Sequence, residues 1–286
     1  MAFWYALAFR AAALLPPWLR RFVARIIAWG YFVFNRSQRR GVFANLRVMK
    51  PDATGRERLF LAIRTFQQAA LNLVDFFSLP TTADEDIRNL AVSFDELPGR
   101  LHDIAGGQPF CIVTGHYGHW ELAGALLGLA GFTVHAIALP QSSGALQSLY
   151  ETLRTRFGVI AHDIGSGLRD ILRNLPDGDV PAIVSDRDYT GSGEQVGFFG
   201  RQVFFPRGAA MICSRKGLVG IPGFLVRQQD GRFRFELGSA IRPETDDERL
   251  WIREFVADFA RQYEQVARKD PTQFLTFYDY WEGKRE

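Results

Sequence analysis

The chain has 286 residues, a formal net charge of +3, 47% hydrophobic and 23% charged residues, which excludes a disordered chain and a polytopic membrane protein and allows one large domain or two small ones. Its two cysteines, Cys111 and Cys213, lie in apolar stretches with no CxxC or Cys/His cluster, the pattern of reduced, buried thiols. The charge is lopsided: residues 1–50 hold nine basic and no acidic side chains, against 25 basic and 31 acidic in the remainder.

That basic stretch opens the chain order. Ala2 to Leu15 is apolar, interrupted by Arg10 and stopped by Pro16-Pro17; Trp18 to Phe34 is apolar with Arg20, Arg21 and Arg25 inserted. Neither run reaches the ~20 mostly uncharged residues of a spanning helix. A signal peptide is a poor fit, since the opening lacks a basic leading region and a small-residue cleavage site. Arginines mixed with Trp, Phe and Leu on helices describe an interfacial helix, each basic group contributing about 1 kcal/mol at an anionic surface. The competing readings are core helices with solvated arginine faces and a nucleic-acid arm; the interleaved Leu, Ile and Phe argue against the second.

Arg56 to Phe77 reads as an amphipathic helix ending near Ser78-Leu79-Pro80, and Thr81 to Asn89 as a polar connector. The pattern then alternates: strand-like Phe110–Thr114, helical Trp120–Leu129, strand-like Thr133–Leu139, helical Leu146–Phe157, strand Val159–Asp163, helical Leu168–Leu175 and strand Val180–Ser185. Short apolar runs alternating with helices predict βαβ units and a mostly parallel sheet flanked by helices. A short helix over Gly208–Lys216, a hairpin of Val219–Arg227 and Arg232–Leu237 around Asp230-Gly231, a long amphipathic helix over Glu248–Arg268 and an aromatic tail over Pro271–Glu282 complete the chain.

The chemistry concentrates in Thr114-Gly-His-Tyr-Gly-His-Trp-Glu121. A strand ending in Gly-His, turning at Gly118 and entering a helix with Glu121 in its first turn places a base and a carboxylate at the mouth of an α/β sheet. A carboxylate there is favoured by the helix dipole whatever its function. Residues five apart on one continuous helix point about 140° apart, so His116 and Glu121 meet only if the chain turns between them, which Gly118 permits. A neutral imidazole held by a carboxylate is a general base for a hydroxyl. With no Gly-x-Ser-x-Gly and no exposed cysteine, the hydroxyl is best supplied by the substrate, which indicates direct transfer.

Five blocks in order carry a resemblance: His116-Tyr-Gly-His-Trp-Glu121 as His-x4-Glu, Leu153-Arg-Thr-Arg-Phe-Gly158, Ser185-Asp-Arg-Asp-Tyr189 with Val196-Gly-Phe-Phe-Gly200, Phe205-Pro-Arg-Gly208, and Pro271-Thr-Gln-Phe274 with Trp281. Over nearly its whole length the chain resembles the lysophospholipid acyltransferase superfamily, in the branch of the bacterial lipid A late acyltransferases and phosphatidylinositol mannoside acyltransferases. The resemblance implies an α/β fold like that of glycerolipid acyltransferases. It implies an O-acyltransferase that uses no cofactor or metal and takes a long-chain fatty acyl group from acyl carrier protein or coenzyme A. The acceptor is a hydroxyl of a lipid or glycolipid, a lipid A precursor or a mannosylated inositol lipid.

By that resemblance His116 is the general base and Glu121 its motif partner, with Glu194 competing for that role as the mannoside enzymes' glutamate does. Arg154 and Arg156 stabilise an oxyanion or bind phosphate, or are solvated helix arginines. Arg187 meets an anionic head group or pairs with Asp186 or Asp188. Gly208 offers a backbone N–H to a phosphate or oxyanion, or simply makes a turn. Trp120, Phe198 and Phe199, with Phe110 and Phe204, line an acyl tunnel or are plain core.

The expected organisation is a single domain over 1–286: membrane-associating helices in 1–50, a helix and connector in 51–90, and the catalytic core in 91–286. The expected place is the cytoplasmic face of the inner membrane, peripheral or monotopic, with no nucleic-acid partner. The rival readings are a thioesterase using the same pair on water, a metal-dependent hydrolase assembled from His116, His119, His135, His162, Asp163, Asp186 and Asp188, and a non-catalytic membrane scaffold. The metal reading lacks any HExxH frame or tight His/Asp cluster.

Overall fold

The run Phe110–Thr114 (β1) is buried because it is the centre of the molecule: in the computed structural model, which describes residues 16–140 and 144–282, it pairs in parallel with strands on both sides. With helices on both faces such a strand has no solvated side, which explains its unbroken Cys-Ile-Val sequence. The other strands are Val134–Ala138 (β2), Val159–Asp163 (β3), Val180–Val184 (β4), Glu194–Phe198 (β5), Arg201–Phe205 (β6), Val219–Arg227 (β7) and Phe233–Leu237 (β8). Six form one sheet in the order β3-β2-β4-β1-β7-β8, parallel except for β8. β5 and β6 form a separate antiparallel pair.

The helices are Pro17–Phe34 (α1), Arg36–Met49 (α2), Gly55–Ser78 (α3), Asp84–Asn89 (α4), Leu97–Ala105 (α5), Trp120–Leu129 (α6), Gly144–Arg156 (α7), Gly167–Asn174 (α8), Gly208–Lys216 (α9) and Glu248–Lys269 (α10). One face of the sheet packs against α5, α6 and α7 through Leu101, Leu126 and Leu153. The other packs against α9 and α10 and the β5–β6 pair through Ile212, Phe259 and Phe205. The sheet is thus mixed α/β and mostly parallel, as the alternation predicts.

Three elements differ from the expectation. The connector 81–89 contains α4, a helix with Ile87 buried and Asp84, Glu85 and Asp86 in its first turn. One apolar residue gives no period, but three carboxylates at a helix start are the dipole's signature. Helix α5 has no counterpart in the sequence pattern, and Pro98 stands in its first turn, where proline is tolerated. The β5–β6 hairpin also escaped, because its two-residue loop is Phe199-Gly200, both at positive φ (53° and 73°). That geometry normally calls for Asn-Gly, and a bulky residue there is rare.

Helix α1 packs on α3 along the stripe Ala24, Ala28 and Phe32, all buried. Its opposite side exposes Trp18, Phe22, Ile26, Ile27 and Trp29, between 55% and 69% exposed. Two of its arginines turn away from that outer side, Arg20 Nη1 donating to Ser78 Oγ at 2.7 Å and Arg21 Nη2 lying 3.7 Å from Asp75 Oδ1, while Arg25 is exposed. No helix of the described residues is long and apolar enough to cross a membrane. The run Ala2 to Leu15 lies outside the described residues.

Candidate active site

The strand order brings the site together. After β1 the chain leaves to build β2 and β3 at the edge and returns with β4 beside β1. Where the order reverses, the carboxyl ends of neighbouring strands open a crevice, the usual ligand site of such sheets. The register pairs Thr114 with Val184. Each strand then runs two residues further, Gly115-His116 and Ser185-Asp186, with Ser185 N–H still donating to Thr114 O at 2.7 Å.

His116 and Asp186 therefore meet side by side. His116 Nδ1 lies 2.6 Å from Asp186 Oδ1, and the His116 backbone N–H donates to Asp186 Oδ2 at 2.8 Å. Tyr263 OH approaches Oδ2 at 3.4 Å, and Tyr280 OH donates to the Asp186 backbone carbonyl at 2.5 Å. Asp186 is fully buried. Burial pushes its carboxyl up, but the His116 ring, its two hydrogen bonds and the Arg187 guanidinium outweigh burial and hold the group below its ordinary value. An ionised carboxylate accepting from Nδ1–H leaves Nε2 as the basic nitrogen.

Glu121, expected beside the His116 ring, is bound elsewhere in this geometry. Glu121 lies in the first turn of α6 and is held by Arg154, with Nη2 to Oε1 at 2.7 Å and Nε to Oε2 at 3.3 Å. Glu194 is held by Arg207 Nε at 2.7 Å. The carboxylate on the imidazole is Asp186, which the sequence offers as a neighbour of Arg187 and as a member of the metal reading, not as the partner of His116. The signal that identifies it is register: 116 and 186 continue the offset of 70 set by Thr114 and Val184.

The turn after His116 is fixed from two directions. Gly118 has φ 65°, its N–H donates to Gln273 O at 3.0 Å, and Asn72 Nδ2 donates to its carbonyl at 2.7 Å. Gln273 also exchanges two side-chain bonds with the Arg227 backbone at the end of β7, at 2.9 and 3.0 Å. Leu275 N–H donates to His116 O at 2.9 Å. The Pro-Thr-Gln-Phe block thus clamps the His116–Gly118 turn to the sheet. His119 caps α6, its Nδ1 accepting from Leu122 N–H at 3.3 Å. Burial, then the nearby Arg227 charge, drives its pKa well down, so it is a neutral structural imidazole.

A cavity of about 660 Å³ opens beside His116. Its mouth includes His116, Trp120, Glu121, Arg154, Arg187 and Gly208, and its interior is apolar. Trp120 stands edge-on to the His116 ring, centroids 5.0 Å apart. Arg187 is fixed by Leu275 O and Thr276 Oγ1, both at 3.1 Å, and lies 5.5 Å from the Tyr278 ring centroid. Gly208 opens α9 with free space where a Cβ would stand. Arg156 is directed elsewhere, to Leu79 O, to Thr82 O at 3.0 Å and to Asp84 at 2.7 Å.

Phe198 and Phe199 are not part of the cavity wall. They belong to the core on the opposite face of the sheet, where Phe198 stacks on Trp281 and lies 5.2 Å from the Tyr263 ring. Phe199 is the turn residue, its N–H on Glu264 Oε2 at 2.5 Å and its ring under Arg268. Phe110 meets Phe132 edge-on, and Phe204 is 54% exposed. Aromatic identity alone did not distinguish the two faces of the sheet.

Asp188 shapes the rim. Its carboxylate accepts from Thr190 N–H, Thr190 Oγ1, Gly191 N–H and Gly193 N–H at 2.8 to 3.1 Å. Burial raises its pKa, but these donors, the Gly193 N–H foremost, lower it further. Both Asp186 and Asp188 therefore stabilise the fold above their unfolded pKa near 4 and lose that contribution as pH falls through their lower folded values. Urea midpoints are expected to fall steeply below about pH 4, and Asp188→Asn is expected to flatten that slope. An unchanged slope in the variant would remove Asp188 from this account.

Four residues of the metal reading fall into two pairs, His116 with Asp186 and His135 with His162. His135 Nδ1 lies 2.9 Å from His162 Nε2, and His135 Nε2 lies 2.8 Å from Asp179 Oδ2. Among the described residues no group of three or more His, Cys, Asp or Glu is placed to hold a metal ion.

The chain matches the family model described as bacterial lipid A biosynthesis acyltransferase over residues 1–282. A comparison with curated proteins found no match. The chain belongs to the bacterial lipid A biosynthesis acyltransferase family.

Proposed function

We propose that this member of an acyltransferase family moves a long-chain fatty acyl group from a thioester, carried by acyl carrier protein or coenzyme A, to a hydroxyl of a lipid A-like glycolipid. The observation that carries the proposal is the His116–Asp186 pair at the mouth of an apolar cavity large enough for a fatty chain. Asp186 holds the imidazole with Nδ1 protonated. His116 Nε2 takes the proton of the acceptor hydroxyl as its oxygen attacks the thioester carbonyl carbon. Collapse of the tetrahedral intermediate breaks the carbon–sulfur bond. The thiolate leaves and recovers the proton from the imidazolium, giving an ester and a free thiol.

Developing negative charge on the carbonyl oxygen calls for fixed donors. Arg154, braced by Glu121, and the unpaired N–H groups at the start of α9 beside Gly208 are the donors that border the cavity mouth. On this reading Glu121 is a positioning residue for Arg154. Arg187 borders the same mouth and suits an anionic group on acceptor or donor. Transfer from labelled acyl carrier protein and labelled acyl-coenzyme A into a lipid extract tests the reaction. A new ester on a glycolipid, with stoichiometric thiol release, is expected. Free fatty acid as the sole product would favour the thioesterase reading.

We further propose that α1 holds the protein on the cytoplasmic face of the inner membrane as a peripheral or monotopic protein, through its outer apolar side rather than through Arg20 and Arg21. A buried aliphatic or aromatic side chain contributes about 2 kcal/mol. Replacing Ile26, Ile27 and Trp29 together by Ser is therefore expected to weaken binding to phosphatidylglycerol vesicles at least tenfold, leaving the fold intact because all three are exposed. Unchanged co-sedimentation would contradict this placement.

A further inference from the structure

The cavity has a closed end, and that end is built differently from its shaft. From the mouth it descends beneath α6 and α7 along the faces of β1, β2 and β4. Three small residues line the shaft, Gly124 from α6, Ala136 from β2 and Ala182 from β4, each of which keeps partial exposure although its element lies inside the protein. Larger side chains then shut the space. Val134 is the first residue of β2, Val159 the first of β3, and Phe157 and Leu127 come from the ends of α7 and α6. All four are buried, at 1%, 8%, 4% and 3% exposure.

The closure rests on rigid structure. Val134 and Val159 are paired in register. At Gly128, next to Leu127, a Cβ would stand 1.7 Å from the Phe157 carbonyl oxygen, so α6 and the Phe157 backbone are already in contact. A close-packed wall of this kind does not yield readily to extra methylenes.

On the reading that this cavity holds the acyl chain, we propose that Val134, Phe157, Val159 and Leu127 form the stop that sets acyl-chain length, with Ala136 as the narrow point above it. The depth follows from the strand. Ala138 at the mouth and Val134 at the floor are four residues apart, about 13 Å at ~3.3 Å per residue. An extended hydrocarbon advances about 1.3 Å per carbon, from C–C bonds of ~1.5 Å. The shaft therefore takes about ten carbons beyond the carbonyl region, which selects saturated donors of about ten to fourteen carbons over longer ones.

The test is a competition among acyl thioesters of 8 to about 18 carbons at equal concentration, with products resolved by mass, for wild type, Ala136→Phe and Phe157→Ala. Wild type is expected to favour donors of about twelve carbons at least tenfold over those of sixteen. Ala136→Phe is expected to move the optimum shorter by two or more carbons, and Phe157→Ala to move it longer. Phe157→Leu and Ala136→Leu serve as milder versions should either large change impair folding. An unchanged chain profile in variants that still transfer acyl groups would overturn the stop. Absence of any transfer by wild type would instead strike the acyltransfer reading on which the stop rests.

Discussion

Asp186→Asn is expected to lower the turnover of acyl transfer by about 10³–10⁴-fold, an effect of the size seen when the carboxylate of a hydrolase triad becomes an amide. The reason lies in the two donors that converge on Asp186, the His116 backbone N–H at Oδ2 and the ring Nδ1 at Oδ1. An amide can accept at only one of those positions. If its oxygen keeps the backbone N–H, its NH₂ faces Nδ1, which must then accept, and the proton moves to Nε2. The imidazole is still present but can no longer take the acceptor's proton. The loss is expected in kcat more than in KM, since the interaction strengthens as the imidazolium forms. Single-turnover kinetics at saturating donor checks this, and turnover within tenfold of wild type would assign the orienting role elsewhere.

The second large effect concerns folding. Gly118→Ala is expected to destabilise the protein by about 2–5 kcal/mol, combining a non-glycine residue at positive φ with a steric collision. A Cβ at this position would lie 2.1 Å from the Leu225 carbonyl oxygen, which accepts the His119 N–H at 2.9 Å. The turn cannot move away without breaking bonds to Gln273 and Asn72. Chemical denaturation of the variant beside wild type measures the loss. A change below about 0.5 kcal/mol, the range of ordinary surface substitutions, would show that the turn adapts.

Much of the fold was legible because the strands of a doubly covered sheet are apolar throughout and their helices are amphipathic. Phe110–Thr114, Trp120–Leu129, Val159–Asp163 and Gly208–Lys216 have the same limits in sequence and structure. What stayed hidden depends on information that local pattern does not carry. The Phe199-Gly200 turn has the wrong residue for its φ values and is held by packing on Trp281 and by Glu264. The place of Phe198 on one face of the sheet rather than the other follows from β5–β6 leaving the main sheet. Glu121 sits at a spacing that suggests contact with His116, yet its carboxylate finds Arg154, 33 residues on. Asp186 was in view as a residue but not as a partner, because strand order decides which strand end lies beside β1.

The turn after His116 also shows how the C-terminal tail supports the candidate site. Gln273 and Leu275 bind the backbone at Gly118 and His116, while Tyr280 holds the carbonyl of Asp186. The tail therefore ties both members of the pair from behind. Asn45 in α2 in turn holds the tail, donating to Thr276 O and Tyr278 O at 2.9 Å and accepting from Tyr280 N–H at 2.9 Å. Helix α2, which follows α1, is thus tied through the tail to the backbone of the His116–Asp186 pair.

The most direct test of the central claim is the yield of acylated lipid from a labelled acyl thioester, measured by mass with wild type and His116→Ala side by side. His116 is part-exposed at the cavity mouth, so its truncation is expected to leave the fold intact, as a matched thermal melt would verify. The account predicts a new lipid ester with wild type and a loss of about 10²–10⁴-fold in its rate with His116→Ala, the range for removing a general base. Comparable ester formation by a folded His116→Ala protein would contradict it.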